Sequence, residues 1–281
     1  MAGDPRLADF RAQVILGRSG LRVSRLGLGS SFAAPTAAYE EAFARGVNYF
    51  YWGTLRRPFM AEAIRHLAPR YRDKLVVVLQ SYARVGALVV RSIERALATL
   101  GLDYADVLLL GWHNKPPSAR LVEAFLRLRA RGLVHHMAIS GHKRLMFPQL
   151  LDDPRVAIWH VRYNAVHRGA EGEVFPHLMT RSVEHRPGLV TYTTTRWGHL
   201  CDPQRTPPGE RTPTGTDCYR FALSYPAVDV ALAGPNDAAQ MAQALRALEL
   251  GPMHAEELAW MRRVGDYIYG QSRAAGVLDR V

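Results

Sequence analysis

Leu16-Gly17-Arg18-Ser19-Gly20-Leu21-Arg22-Val23-Ser24-Arg25-Leu26-Gly27-Leu28-Gly29-Ser30 is the stretch on which the fold turns. Arg18-Ser19-Gly20 is a turn signal between two short apolar runs, Val14 to Gly17 and Leu21 to Leu26, and predicts a leading β-hairpin. Leu26 to Ser30 then reads as a first buried strand. Outward from it, short apolar runs alternate with longer amphipathic segments, the pattern of repeated βα units. Helices are predicted at Thr36 to Arg45, Arg57 to Ala68, Leu88 to Leu100 and Ser118 to Arg131, the last two stopped by Gly101 and Gly132. Strands are predicted at Val47 to Tyr51, Leu75 to Gln80, Val107 to Leu110, Val134 to Ser140, Ala157 to Tyr163, Leu189 to Thr193 and Val228 to Ala233. Two more helices follow, Ala238 to Leu250 and Ala255 to Tyr269. Strict alternation makes a closed parallel sheet the economical arrangement, so the predicted fold is a single (β/α)8 TIM barrel with an N-terminal hairpin. One domain over residues 1–281, with 1–13 as an N-terminal extension, accounts for the length.

The segment Cys201 to Asp217, with Pro203, Pro207, Pro208 and Pro213, is too long for a plain connector and predicts a functional loop after the seventh barrel strand. Its flanking cysteines, Cys201 and Cys218, are the chain's two and could meet in space, but reduced thiols are the expectation for a cytoplasmic protein. Cytoplasm is the expected compartment, because the first residues lack the regions of a signal peptide and no apolar run reaches membrane-spanning length. The formal charge of +11 comes almost wholly from arginine, with lysine only at Lys74, Lys115 and Lys143. Those arginines are scattered among acidic residues, and no nucleic-acid-binding signature accompanies them, so no nucleic-acid partner is expected. No metal-ligand spacing is present; the doublet His135-His136 reads as the surface end of a helix.

The opening stretch is similar to the N-terminal signature of the aldo-keto reductases. The resemblance continues through Leu100-Gly101-Leu102-Asp103-Tyr104-Ala105-Asp106, Gly132-Leu133-Val134, Ile139-Ser140, Tyr163-Asn164 and Ala233-Gly234-Pro235-Asn236 with Gln240, over roughly residues 14 to 270. It implies NADPH bound across the carboxyl face of the barrel. By position, Ser140 matches the residue that holds the nicotinamide carboxamide, His160 stands where a glutamine shares that task, and Gly141 replaces an asparagine. Tyr192 matches the residue on which the nicotinamide stacks. Gly234, Asn236 and Gln240 correspond to the adenosine-phosphate pocket, where helix-start N–H groups favour an anion. Arg196 matches a contact to the diphosphate, while Gln243 and Ala244 replace a glutamate and an asparagine.

The family's Asp, Tyr, Lys and His catalytic set is replaced here by Tyr51, Arg56, Gln80 and Gly111. Side chains alternate along a strand, so Gln80 shares a face with Tyr82 and Gly111 with His113. If the strands stay extended, Tyr51, Tyr82 and His113 converge on one opening beside Arg56 or Arg57, with Trp112 as a wall. A histidine and two tyrosines can exchange protons, and an arginine can hold an anion. The first expectation is therefore an NADP(H)-dependent oxidoreductase acting on a carbonyl or imine, with Tyr51 or His113 as a rearranged proton donor. A lyase, isomerase or dehydratase on the same barrel, and a non-catalytic cofactor-binding or regulatory protein, are the alternatives. The expected ligand is a small molecule, aromatic or anionic, and the expected assembly a monomer or small homo-oligomer.

Overall fold

A computed structural model describes residues 8–274, so part of the expected extension (1–7) and the last seven residues lie outside the described chain. A two-stranded antiparallel hairpin, β1 (Val14–Ile15) and β2 (Arg22–Val23), leads. Eight parallel strands among the described residues then close a barrel: β3 (Leu26–Gly29), β4 (Tyr49–Trp52), β5 (Val76–Ser81), β6 (Ala105–Leu110), β7 (Val134–Gly141), β8 (Val156–Arg162), β9 (Gly188–Tyr192) and β10 (Val230–Ala233), with β10 paired to β3. Outside it run α1 (Thr36–Ala44), α2 (Pro58–Tyr71), α3 (Gly86–Leu100), α4 (Ala119–Ala130), the short α5 (Ala170–Glu173) and α6 (Phe175–Met179), α7 (Gly215–Leu223), α8 (Ala238–Leu250) and α9 (Ala255–Ala274). The predicted (β/α)8 barrel, its hairpin and the long loop after the seventh barrel strand are all present.

The two-residue alternation sorts every strand. Val77, Leu79, Leu108, Leu110, Ile139 and Trp159 face the helices, and Val76, Val78, Val107, Leu109, Ala138, Ile158 and Val190 fill the barrel. Val14, Leu16 and Val23 of the hairpin join this inner cluster and plug the amino-terminal end. Each fully buried Val or Leu contributes about 1.5–3 kcal/mol, so the packed interior leaves the carboxyl end as the place for an opening. The amino-terminal end is also closed off by charge. Arg186 donates to both carboxylate oxygens of Asp229 at 2.9 and 2.7 Å, and Asp229 also accepts the Leu189 N–H at 2.8 Å. Arg25 lies beside them, donating to the carbonyls of Leu223, Val228 and Asp229 and sitting 4.9 Å from the Phe10 ring.

Two expectations fail locally. His135 and His136 do not end a helix; they open strand β7, where His135 stacks on Tyr104 at 4.6 Å. The loop expected to run to Asp217 ends at Thr214. There Thr214 and Asp217 form a reciprocal capping box that starts α7, a helix the sequence reading left out.

Candidate active site

The innermost side chains at the carboxyl ends of the strands surround a cavity of about 520 Å³. Tyr51 of β4, Gln80 of β5, Tyr82 just beyond it, Ser140 of β7, His160 of β8, Tyr192 of β9 and Gly234 after β10 line it, as the strand alternation predicts. Leu55, Tyr82, Trp112 and Trp197 on its rim are each about half exposed, 56%, 45%, 49% and 52%. The floor is tighter: the Tyr49 hydroxyl and His160 Nε2 share a 2.8 Å hydrogen bond, and burial pushes the imidazole of His160 down to about 3. His160 is thus a neutral ring at every physiological pH.

On one side the hydroxyls form a chain that ends on a single acceptor. Gln80 Oε1 receives the Tyr51 O–H, the Thr54 N–H at 3.1 Å and the Thr54 hydroxyl at 3.1 Å. The Tyr82 hydroxyl lies 3.0 Å from that of Thr54, and the Tyr51 hydroxyl 2.9 Å from it. Burial raises the Tyr51 phenol well above its ordinary range. Two glycines make room for this cluster. A Cβ at Gly111 would overlap Gln80 Nε2 and stand 2.8 Å from Tyr82 Cε1, and one at Gly53 would overlap the Tyr51 ring. Gln80 therefore spreads into the space that a side chain at position 111 would need.

Among the described residues, five non-glycine residues have a left-handed backbone, Thr54 (φ 49°), Trp112 (57°), Thr193 (58°), Arg196 (50°) and Trp197 (54°). All sit on loops beyond the carboxyl ends of strands, and four of them line the cavity. Such conformations cost about 1–3 kcal/mol each and concentrate at functional sites. The one at Trp112 reverses an expectation. It breaks the strand alternation, so Trp112 faces the opening and His113 does not. His113 instead gives its N–H to the Ser140 carbonyl at 2.6 Å, and its carbonyl occupies the place a Gly141 side chain would take. Its ring is buried, with Nε2 unpartnered and the imidazole pushed down to about 4 by burial and then by Arg84.

The expected arginines also turn elsewhere. Arg56 donates to the Gln80 carbonyl at 2.7 Å and lies over Trp52 at 5.1 Å, and Arg57 donates to the Ser31 carbonyl at 3.2 Å. Arg196 is buried and gives Nη2 to Ser272 of α9 at 3.0 Å. Among the described residues no Asp, Glu, Lys or Arg lines the cavity. At the start of α8, Asn236 and Gln240 bond to each other, with the Asn236 N–H on Gln240 Oε1 at 2.9 Å. The Asp237 carboxylate caps the helix by accepting the Gln240 N–H at 2.8 Å, so the expected phosphate position already holds an acid.

His142, like Thr54, is a lining residue that the sequence reading missed. It stacks on Trp112 at 5.5 Å, lies 6.4 Å from the Tyr192 ring, and is held below the usual imidazole range by burial and then by Arg162. Its place immediately after the Ser140-Gly141 strand end was the available signal. Ser140 itself accepts the Trp112 N–H on Oγ at 3.0 Å, and the Tyr192 hydroxyl reaches the Gly141 carbonyl at 3.4 Å.

No protein-family model matches the chain. Among curated proteins it is similar to L-galactose dehydrogenase of Arabidopsis thaliana, 25% identical over 216 residues, a match that spans 66% of this chain and 66%, just under two thirds, of that protein. Among solved structures it is similar to aldo-keto reductase AKR11C1 of Bacillus halodurans. The holo form superimposes with a TM-score of 0.74 at 20% identity over 90% of this chain and 96% of the other. The apo form gives 0.73 at 21% identity over 90% and 95%. The chain therefore shares its fold with aldo-keto reductase AKR11C1.

Proposed function

We propose that this barrel, an oxidoreductase fold, reduces a carbonyl or imine on a small aromatic molecule with a nicotinamide dinucleotide, using Tyr51 as the proton donor. The observation that carries the reading is the hydroxyl cluster of Tyr51, Thr54 and Tyr82, held by Gln80, on the same cavity as Ser140 and Tyr192. A nicotinamide suits the apolar, aromatic cavity, with Ser140 and Tyr192 on its walls in the positions the resemblance implies. Bound there, the reduced ring supplies hydride. The adenosine end suits a dinucleotide without a 2′-phosphate, because the Asp237 carboxylate repels a phosphate and accepts a ribose hydroxyl. The reading therefore moves from the expected NADPH to NADH.

At rest the Tyr51 proton points at Gln80 Oε1, and it must swing to the substrate oxygen or nitrogen as negative charge develops there. Burial outweighs the nearby Arg56 charge and holds the phenol proton, so Tyr51 yields it to a strongly basic centre such as an alkoxide. Tyr82 and Thr54 follow it as the hydroxyls from which the proton is replaced. The rim of Trp112, His142 and Trp197 covers an aromatic ring and keeps water from the reacting centre.

Calorimetric titration with NADH and NADPH tests the reading. Micromolar NADH binding, weaker NADPH binding, and a gain in NADPH affinity in Asp237→Ser are the expected results. No binding of either up to millimolar concentration sinks the proposal. The uncharged cavity favours a second reading, a non-catalytic binding barrel, which predicts binding of the dinucleotide with no turnover across a carbonyl and imine panel.

A further inference from the structure

The two cysteines of the chain, seventeen positions apart in sequence, are brought together beside the cavity. Cys201 ends a short 3-10 turn, His199–Cys201, on the long loop after β9, and Cys218 lies in the first half of α7. Their sulfurs are 3.9 Å apart and both thiols are free. The two positions differ in access: Cys218 is 1% exposed, whereas Cys201 is only partly covered. They also differ in charge preference. The contact between the two sulfurs holds the Cys201 thiol below the usual thiol range, while the same contact and burial push Cys218 well above it. A partly accessible cysteine beside a buried one at 3.9 Å is the arrangement of an attacking and a resolving cysteine.

We propose that Cys201 and Cys218 form a dithiol modification site that takes a small-molecule disulfide and becomes an intramolecular disulfide. The Cys201 thiolate attacks one sulfur of the incoming disulfide, forms a mixed disulfide and expels one small thiolate. Cys218 then loses its proton to solvent and attacks Cys201 Sγ, forming the Cys201–Cys218 bond and expelling the second small thiolate. The two cysteines are oxidised by two electrons and the small disulfide is reduced to two thiols. Closing from 3.9 Å to the roughly 2.05 Å of a bond moves the sulfurs together by about 1.9 Å. The cavity lining feels that movement, because Tyr219 follows Cys218 directly and Trp197 lies four residues before Cys201 on the same loop.

The experiment treats the full-length reduced protein with oxidised glutathione and follows intact mass, free thiols and iodoacetamide alkylation. The expected product has lost two hydrogens and both thiols, carries no glutathione, and reverts with dithiothreitol. Cys218→Ala is expected to stop at one glutathione on Cys201, and Cys201→Ser to stay unmodified while folded. In the wild-type protein Cys201 is expected to alkylate at least about tenfold faster than Cys218. Retained glutathione on the wild-type chain, equal alkylation rates, or a disulfide that forms between two chains overturns the proposal. So does a wild-type protein that reacts only after unfolding, a result that does not depend on either variant.

Discussion

Gly111→Ala tests whether Gln80 occupies the space beside position 111. Gly111 does not have a left-handed backbone, so alanine meets no conformational penalty and the cost arises from contact. The new methyl overlaps Gln80 Nε2 and lies 2.9 Å from Gln80 Cδ, and the amide must move. Overpacking of this kind costs about 1–3 kcal/mol. Displacing Gln80 Oε1 also weakens the bonds from Tyr51 and Thr54, each a net contribution of about 0.5–1.5 kcal/mol. Against this, alanine stabilises by about 0.4–1 kcal/mol through the unfolded chain. The net expectation is a loss of roughly 1–3 kcal/mol. Removing the Gln80 obstruction with Gln80→Ala should make the second change cheaper, leaving only the 2.8 Å contact with Tyr82 Cε1, so urea unfolding of the two single variants and the double variant should show a coupling of about 1 kcal/mol or more. Additivity within about 0.3–0.5 kcal/mol would refute the reasoning, because it would place Gln80 elsewhere.

Tyr51→Phe is expected to leave dinucleotide affinity near that of the parent and to lower turnover by about 100-fold or more, read from steady-state kinetics on the substrate found in the panel. Acidification should destabilise the fold through His160, whose folded value of about 3 lies below the unfolded 6.5. Its contribution is complete above about pH 6.5 and is lost as pH falls toward 3. The limiting slope is about 1.4 kcal/mol per pH unit, which His160→Gln should remove from a series of urea titrations. His113 and His136, each held near 4, push the slope in the same direction. Asp229→Ala strands the buried Arg186 and should cost about 3–5 kcal/mol in urea unfolding.

The sequence carried the barrel because its strands are read by apolar runs, and the runs end where chemistry begins. Tyr51, Gln80 and Ser140 sit on continuously extended strands, so counting by two placed them on the cavity. His113 defeated the same count because the turn at Trp112 uses a left-handed backbone on a residue that gives no warning of it, unlike glycine or asparagine. Arg196 follows the similar turn at Thr193, and its side chain goes to α9, a long-range contact invisible to local pattern. Helix α7 was legible in principle: Thr214-Gly215-Thr216-Asp217 has capping-box spacing, but the preceding prolines drew the whole segment into the loop. His135 and His136 lie inside the strand predicted from Val134 to Ser140, and reading the doublet as a helix end overlooked the apolar Val134 before it.

An uncharged mouth in a chain of net charge +11 separates approach from entry. The arginines draw anions to the surface in general, and low ionic strength strengthens that pull. Among the described residues, no charged side chain lines the opening itself to convert attraction into capture. Association of a neutral aromatic ligand should then run at the unsteered rate of about 10⁵–10⁶ M⁻¹s⁻¹ and stay flat as salt is added. A neutral aromatic substrate is then selected by shape and desolvation after arrival.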